Sequence, residues 1–224
     1  MLSQRFFLLI SLLTSALSAQ TQTLITKNFK FADGVYHSHT ELKKNTPTIK
    51  WDSITGSVFT NPQTLLSQVE YLRTKKSKDS LALDSIAYLV IDGIPYVRLP
   101  KYAAKKTSET FVGMVARGKI CYFNYEVTDT LKVPISAYNP LTGKPYMTKK
   151  VDTEKKVTHE KLLSFETGEI IDFTLQNFKT WIADDPKLLN TVNGWTRKEI
   201  REKLFKTLLI YDDRNPVYTV SSKQ

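Results

Sequence analysis

The chain has 224 residues and carries 32 Lys and Arg against 22 Asp and Glu, a formal charge of +10. That length suits one domain, or one and a small second, with enough volume for a real core. A single cysteine, Cys121, excludes an intrachain disulfide, and there is no Gly-rich phosphate loop, G-x-S-x-G, HExxH or CxxC on which to hang a motif-defined enzyme class.

The first residues read as a secretory signal peptide. Arg5 precedes an apolar run from Phe6 to Leu13, and the small-x-small pattern Ala16-Leu17-Ser18-Ala19 follows. The run is far short of the roughly 20 residues a membrane span needs, and no other apolar run approaches that length. Cleavage is expected after Ala19. The chain then divides into a signal peptide at 1–19, an extended lead-in at 20–30, a single α+β domain at 31–220 and a tail at 221–224.

Two of the three histidines stand in "DGVYHSHTEL", Asp33 to Leu42. Asp33-Gly34 offers a turn. Ser38 can cap a short helix running through Glu41, Leu42 is its core contact, and Asn45 and Pro47 stop it. His37 then precedes the cap and His39 lies in the first turn, so the two need not face one point. A metal site wants a third or fourth ligand. His159 is the only other histidine and Cys121 reads as buried, so neither metal nor any other cofactor is expected and "HSH" is read as the exposed start of a helix.

Residues 58–74 give conflicting signs. Asn61 and Pro62 suit a helix start, with Leu65, Leu66, Val69 and Leu72 on one face, while "QVEYLR" alternates as a strand would. Helix is the weak preference, and strand stays open.

Three hairpins follow in the middle of the chain. "IAYLVIDGIPYVRL" turns at Asp92-Gly93. "TFVGMVARGKICYFNYEV" turns at Arg117-Gly118-Lys119, and in its second arm Cys121, Phe123, Tyr125 and Val127 form the more apolar, core-facing set. Cys121 is therefore a small hydrophobe and not a nucleophile. "KVTHEKLLSFETGEIIDF" turns at Thr167-Gly168, with His159 as an exposed strand histidine. Between the last two, Pro134, Pro140 and Pro145 forbid a central strand, and a long excursion at the sheet edge is expected, with a loose hairpin as one form open to it.

The C-terminal part reads as helices. Thr174 caps the first, with Phe173 and Phe178 as a hydrophobic staple; Asp185 caps a short one beginning at Pro186. In the last, Thr196 and Glu199 form a capping box, Trp195 and Ile200 a staple, and Asn215-Pro216 the stop. Arg197 and Lys198 at its start and Asp212 and Asp213 at its end oppose the helix dipole. The pair Asp184-Asp185 reads as a stop and a cap, not as catalytic acids.

"DGVYHSHTELKKNTP", "LDSIAYLVIDGIPYVRL" and "TGEIIDFTLQNFKTWIADDPKLL", with a Lys-rich helix ending "YDDRNP", resemble a group of uncharacterised secreted proteins of Bacteroidota. The shared pattern maps onto Gly34, Tyr36, Glu41, Leu42, Pro47, Asn215 and Pro216. It implies export and this architecture, and no activity.

The fold expected is α+β: an antiparallel β-meander of about six strands with C-terminal helices packed on one face. The function expected is that of a secreted or periplasmic, non-enzymatic binding or scaffolding module of the cell envelope. A carrier of a small apolar ligand in a meander pocket is the alternative, and an unrecognised hydrolase the second; no catalytic residue is assigned. Lysines cluster at Lys75, Lys76 and Lys78, at Lys101, Lys105 and Lys106, and at Lys149, Lys150, Lys155 and Lys156. The last four, in a loop from Leu141 to Lys156, are the candidate anion-binding surface for envelope lipids or glycans. Export and the lack of interleaved aromatics argue against nucleic acid.

Overall fold

The computed structural model describes residues 21–100 and 108–221. The signal peptide at 1–19, Lys101, Lys105 and Lys106, and the tail beyond residue 221 lie outside the described residues.

The lead-in contains strand β1 (Thr21–Ile25). Next come β2 (Gly34–Tyr36), helix α1 (His39–Lys43), β3 (Ile49–Lys50), β4 (Ile54–Asn61) and β5 (Leu66–Thr74). The hairpin β6 (Tyr88–Ile91) and β7 (Ile94–Arg98) turns where expected, with Asp92 and Gly93 both at positive φ, 54° and 78°. This is the backbone that an Asp-Gly hairpin turn requires. With β8 (Glu109–Gly113) these strands make one antiparallel sheet in the order β3-β2-β6-β7-β8-β5-β4.

Residues 58–74 are therefore two strands joined by a turn at 62–65, and the helix preference is overturned. The reason is local. β5 pairs with β4 through Val69↔Val58 and then Tyr71↔Ser57, so Glu70 is an extra residue bulged out of the ladder. The bulge resets the alternation, so that Ser67 and Val69 are buried two apart but Val69 and Leu72 three apart. A spacing of three is what imitates a helix face.

The second expected hairpin is also different. β8 pairs with β7 and β5, and the turn at Arg117-Gly118-Lys119 is closed only by the bridge Ala116↔Tyr122. There the chain leaves the large sheet and starts a second one, β11-β10-β9. β9 (Ile120–Tyr138) and β10 (Pro145–Ser164) form one long hairpin, and β11 (Ile170–Asp172) pairs with the base of β10 after the expected turn, where Gly168 has φ 78°. The excursion between the hairpins is thus regular strand on both sides. Pro134 is accommodated because a two-stranded ribbon has a free edge toward which its hydrogen-less nitrogen can point.

Helices α2 (Leu175–Trp181), α3 (Pro186–Asn193) and α4 (Arg197–Arg214) begin at the expected caps, Thr174, Asp185 and Thr196. The α4 capping box is complete, and Phe173 and Phe178 meet at 5.8 Å between ring centres. A last strand, β12 (Val217–Ser221), pairs antiparallel with β1.

Three apolar clusters hold these parts together. The first lies between the seven-stranded sheet and one face of the small sheet, and joins Tyr36, Tyr88, Val90, Val97 and Val112 to Cys121, Phe123, Tyr125 and Leu163. The second lies on the other face of the small sheet, where Ile120, Tyr122 and Leu162 meet Phe178, Ile182, Leu188, Leu208 and Tyr211 of the helices. The third fills the opposite face of the large sheet with Val35, Ile54, Val69, Leu72, Leu89 and Phe111. The base of β9 is consequently buried on both faces, odd residues toward the large sheet and even residues toward the helices.

Candidate functional site

Beyond that buried base, β9 and β10 continue as a bare two-stranded ribbon. From Thr128 to Ile135 on β9 and from Pro145 to Lys156 on β10 every residue is exposed. Among the described residues nothing covers either face of this arm, and the ladder runs from Val127↔Val157 out to Ala137↔Met147 without interruption.

The two faces differ, because opposed residues share a face and successive residues alternate. One face carries Leu131, Val133, Ile135 and Ala137 on β9 with Met147, Val151 and Val157 on β10, and among them Asp129, Lys149, Thr153 and Lys155. The other carries Thr128, Thr130, Lys132 and Ser136 with Thr148, Lys150, Asp152, Glu154 and Lys156. The apolar face is a direct continuation of Cys121, Phe123, Tyr125 and Val127, which near the body are covered by the large sheet. Along the arm the same odd-numbered register meets solvent: Ile135 is 55% exposed and Met147 58%.

The tip is a tight, well-bonded turn. Asn139 N–H donates to the Lys144 carbonyl at 2.9 Å, Gly143 N–H to the Asn139 carbonyl at 2.8 Å, and Leu141 N–H to Asn139 Oδ1 at 2.9 Å. Gly143 supplies the left-handed φ of 64°. This holds Leu141 outward, 94% exposed, between Tyr138 and Tyr146 at 61% and 70%.

The four candidate lysines all lie on β10, not in a loop. Lys149 and Lys155 share the apolar face, Lys150 and Lys156 the polar one, so they do not form a single patch. Lys156 stands 3.8 Å from Glu126, with both side chains exposed. Lys75, Lys76 and Lys78 surround the turn after β5, beside an open hollow of about 760 Å³ rimmed by Asp52, Ser53, Thr74, Lys75, Lys76 and Ser77.

The other residues singled out in the sequence have structural partners. His37 Nδ1 lies 3.0 Å from the Ser85 carbonyl. His39, expected to be exposed, is half-buried instead. Its Nε2 lies 2.9 Å from the Phe165 carbonyl and its Nδ1 3.1 Å from the Tyr88 hydroxyl. The carbonyl can only accept, so Nε2 carries the proton and Nδ1 accepts from Tyr88. Burial lowers the pKa of His39. Gly168 makes room for it, since a Cβ there would fall 2.5 Å from the ring.

His159 stacks on Tyr125 at 5.3 Å. Cys121 is buried and burial pushes its thiol up to about 12. Asp185 caps α3 and binds Arg214 at 3.1 Å, while Asp184 binds Lys119 at 2.5 Å and the Tyr211 hydroxyl at 2.7 Å, so the two acids serve different partners. Among the described residues no three or more His, Cys, Asp and Glu converge as metal ligands would. Among the same residues no helix is long and apolar enough to cross a membrane.

The sequence reading singles out the lysines of the arm but not its apolar face. The sign of that face in the sequence is the apolar alternation Leu131, Val133, Ile135, Ala137 between Thr130, Lys132, Pro134 and Ser136, a half-buried strand pattern whose cover is missing. Comparison of the chain with family models, curated proteins and solved structures finds no match.

Proposed function

We propose that this is an exported, non-enzymatic binding or scaffolding protein of the cell envelope, and that the arm is its contact surface. One observation carries the reading: the ribbon from Thr128 to Lys156 is exposed on both faces yet keeps Leu131, Val133, Ile135, Met147 and Val151 on one of them. Apolar side chains aligned on one face of a bare ribbon gain no packing within the chain, which supports reading that face as kept for a partner. Export rests on the N-terminal pattern ending at Ala19 and on the resemblance to secreted proteins. N-terminal sequencing of protein recovered outside the cytoplasm tests it, and a chain that still begins at Met1 contradicts it.

The contact surface is tested by replacing residues 128–156 with an Asn-Gly turn. The expected result is a body with a nearly unchanged denaturant midpoint that no longer fractionates with the envelope. A trimmed protein that fractionates like the parent would dismiss the arm.

A further inference from the structure

We propose that the distal arm, Val133–Val151, docks on an anionic lipid surface. This rests on the reading of the arm as the contact surface and names its partner. Charge is sorted along the ribbon. Its acids, Asp129, Asp152 and Glu154, lie on rungs nearer the body, and Asp152 stands opposite Lys132. Beyond that rung the arm carries Lys144, Lys149 and Lys150 and no acid. The same stretch holds Val133, Ile135, Tyr138, Leu141, Tyr146, Met147 and Val151, all exposed.

An apolar apex flanked by tyrosines and lysines matches the layering of a bilayer surface. Leu141 and Met147 can enter the acyl boundary, tyrosines favour the headgroup level, and lysine stems lie along apolar surface while their ammonium groups reach phosphates. A headgroup layer of negative charge needs no bidentate geometry, which lysine does not offer.

A second copy of the chain fits the face less well. From Leu131 to Ala137 a two-stranded face is about 20 Å long and about 10 Å wide, or roughly 200 Å². Stable protein interfaces bury about 800 Å² per partner. Packing two tips together would also bring their lysines together. Acidic glycans would answer the lysines but leave the apolar apex in water.

The test uses the mature full-length protein and sedimentation with vesicles of phosphatidylcholine, alone or mixed with phosphatidylglycerol. Binding to the mixed vesicles is expected to exceed binding to neutral ones by at least about tenfold at low salt. Leu141→Trp should show a blue-shifted emission on the mixed vesicles. Leu141→Asp, at a fully exposed site that cannot unfold the body, should lose most vesicle binding, and the uncharged Leu141→Asn should weaken it while its retention on heparin stays as in the parent. Lys149→Gln with Lys150→Gln should weaken vesicle binding at low salt.

Absence of vesicle binding, or binding indifferent to Leu141→Asp, overturns the proposal. So does a dimer in sedimentation equilibrium that Ile135→Asp dissolves, with no binding to vesicles. Loss of envelope association on trimming the arm, without vesicle binding by the parent, removes the lipid partner but leaves the arm as contact surface. Envelope association that survives trimming removes both.

Discussion

Asp212 sits near the end of α4 with Oδ1 accepting the Ile120 N–H at 2.9 Å and Oδ2 buried without a partner. Gly118 lies so close that a Cβ there would fall 2.3 Å from the carboxyl carbon, which is why this turn carries glycine. Burial raises the carboxyl from its ordinary 3.8 to about 7, against the pull of the Ile120 bond and with help from Asp213. Between those values the folded chain holds more protons than the unfolded one, so stability from this group is present in acid and is lost as pH rises through about 7. Asp212→Asn keeps the shape and removes the charge. Its denaturation midpoint should exceed the parent's at pH 8, by about 1–4 kcal/mol of stability, and approach it at pH 4. An equal difference at both values would mean that the carboxylate is ionised and hydrated. His39 works in the opposite sense. Its lowered pKa makes its contribution full above about 6.5 and lost as pH falls below that. His39→Ala strands the Tyr88 hydroxyl and the Phe165 carbonyl and should cost about 1–3 kcal/mol at pH 8, less at pH 5. A midpoint unchanged at pH 8 would show that water replaces the ring.

At the level of single elements, the helices are fixed by chemistry within a few residues of their own ends, and that is why the sequence displays them. Thr196 accepts from the Glu199 N–H while the Glu199 carboxylate accepts from the Thr196 N–H at 2.9 Å. Thr196→Ala should therefore lower stability by about 0.5–2 kcal/mol, read as a shifted denaturant midpoint. An unshifted midpoint would put the start of α4 elsewhere. Of the charges that oppose the dipole of that helix, Asp212 finds a tertiary answer, since it bonds the base of β9; Arg214 in the last turn suits the dipole and also bonds Asp185. Strands are legible only where the alternation stays in phase. Asp92-Gly93 and the Cys121–Val127 register are read without error, whereas the Glu70 bulge shifts the phase of β5 and imitates a helix. Which strands pair is a longer-range matter. Nothing near Arg117–Lys119 announces that β8 stays in one sheet and β9 starts another. The four lysines of β10 are legible as a basic cluster, but their division between two faces follows only from the β9–β10 register.

For the whole molecule, the β9–β10 hairpin joins two regimes of stability on one pair of strands. At its base Ile120–Phe123 and Leu162–Leu163 are buried between the large sheet and the helices. Opening that ladder means breaking both clusters, so its amides should exchange only with global unfolding. From Thr128 outward the same ladder has no cover on either face. A two-stranded ribbon alone is marginal in water, and its hydrogen bonds can open without disturbing the body. Native-state hydrogen exchange should therefore fall steeply along β9, from full protection at Phe123 to weak protection by Leu131, with a matching fall on β10 between Leu162 and Val151. The odd-numbered residues give the cleaner reading, because the paired side of the ladder alternates along each strand. Trimming residues 128–156 should leave exchange at Ile120–Phe123 and the denaturant midpoint nearly unchanged. Full, even protection from Ile120 to Ile135 in the isolated protein would refute this division, since it would require the arm to be packed against something that its two open faces do not show.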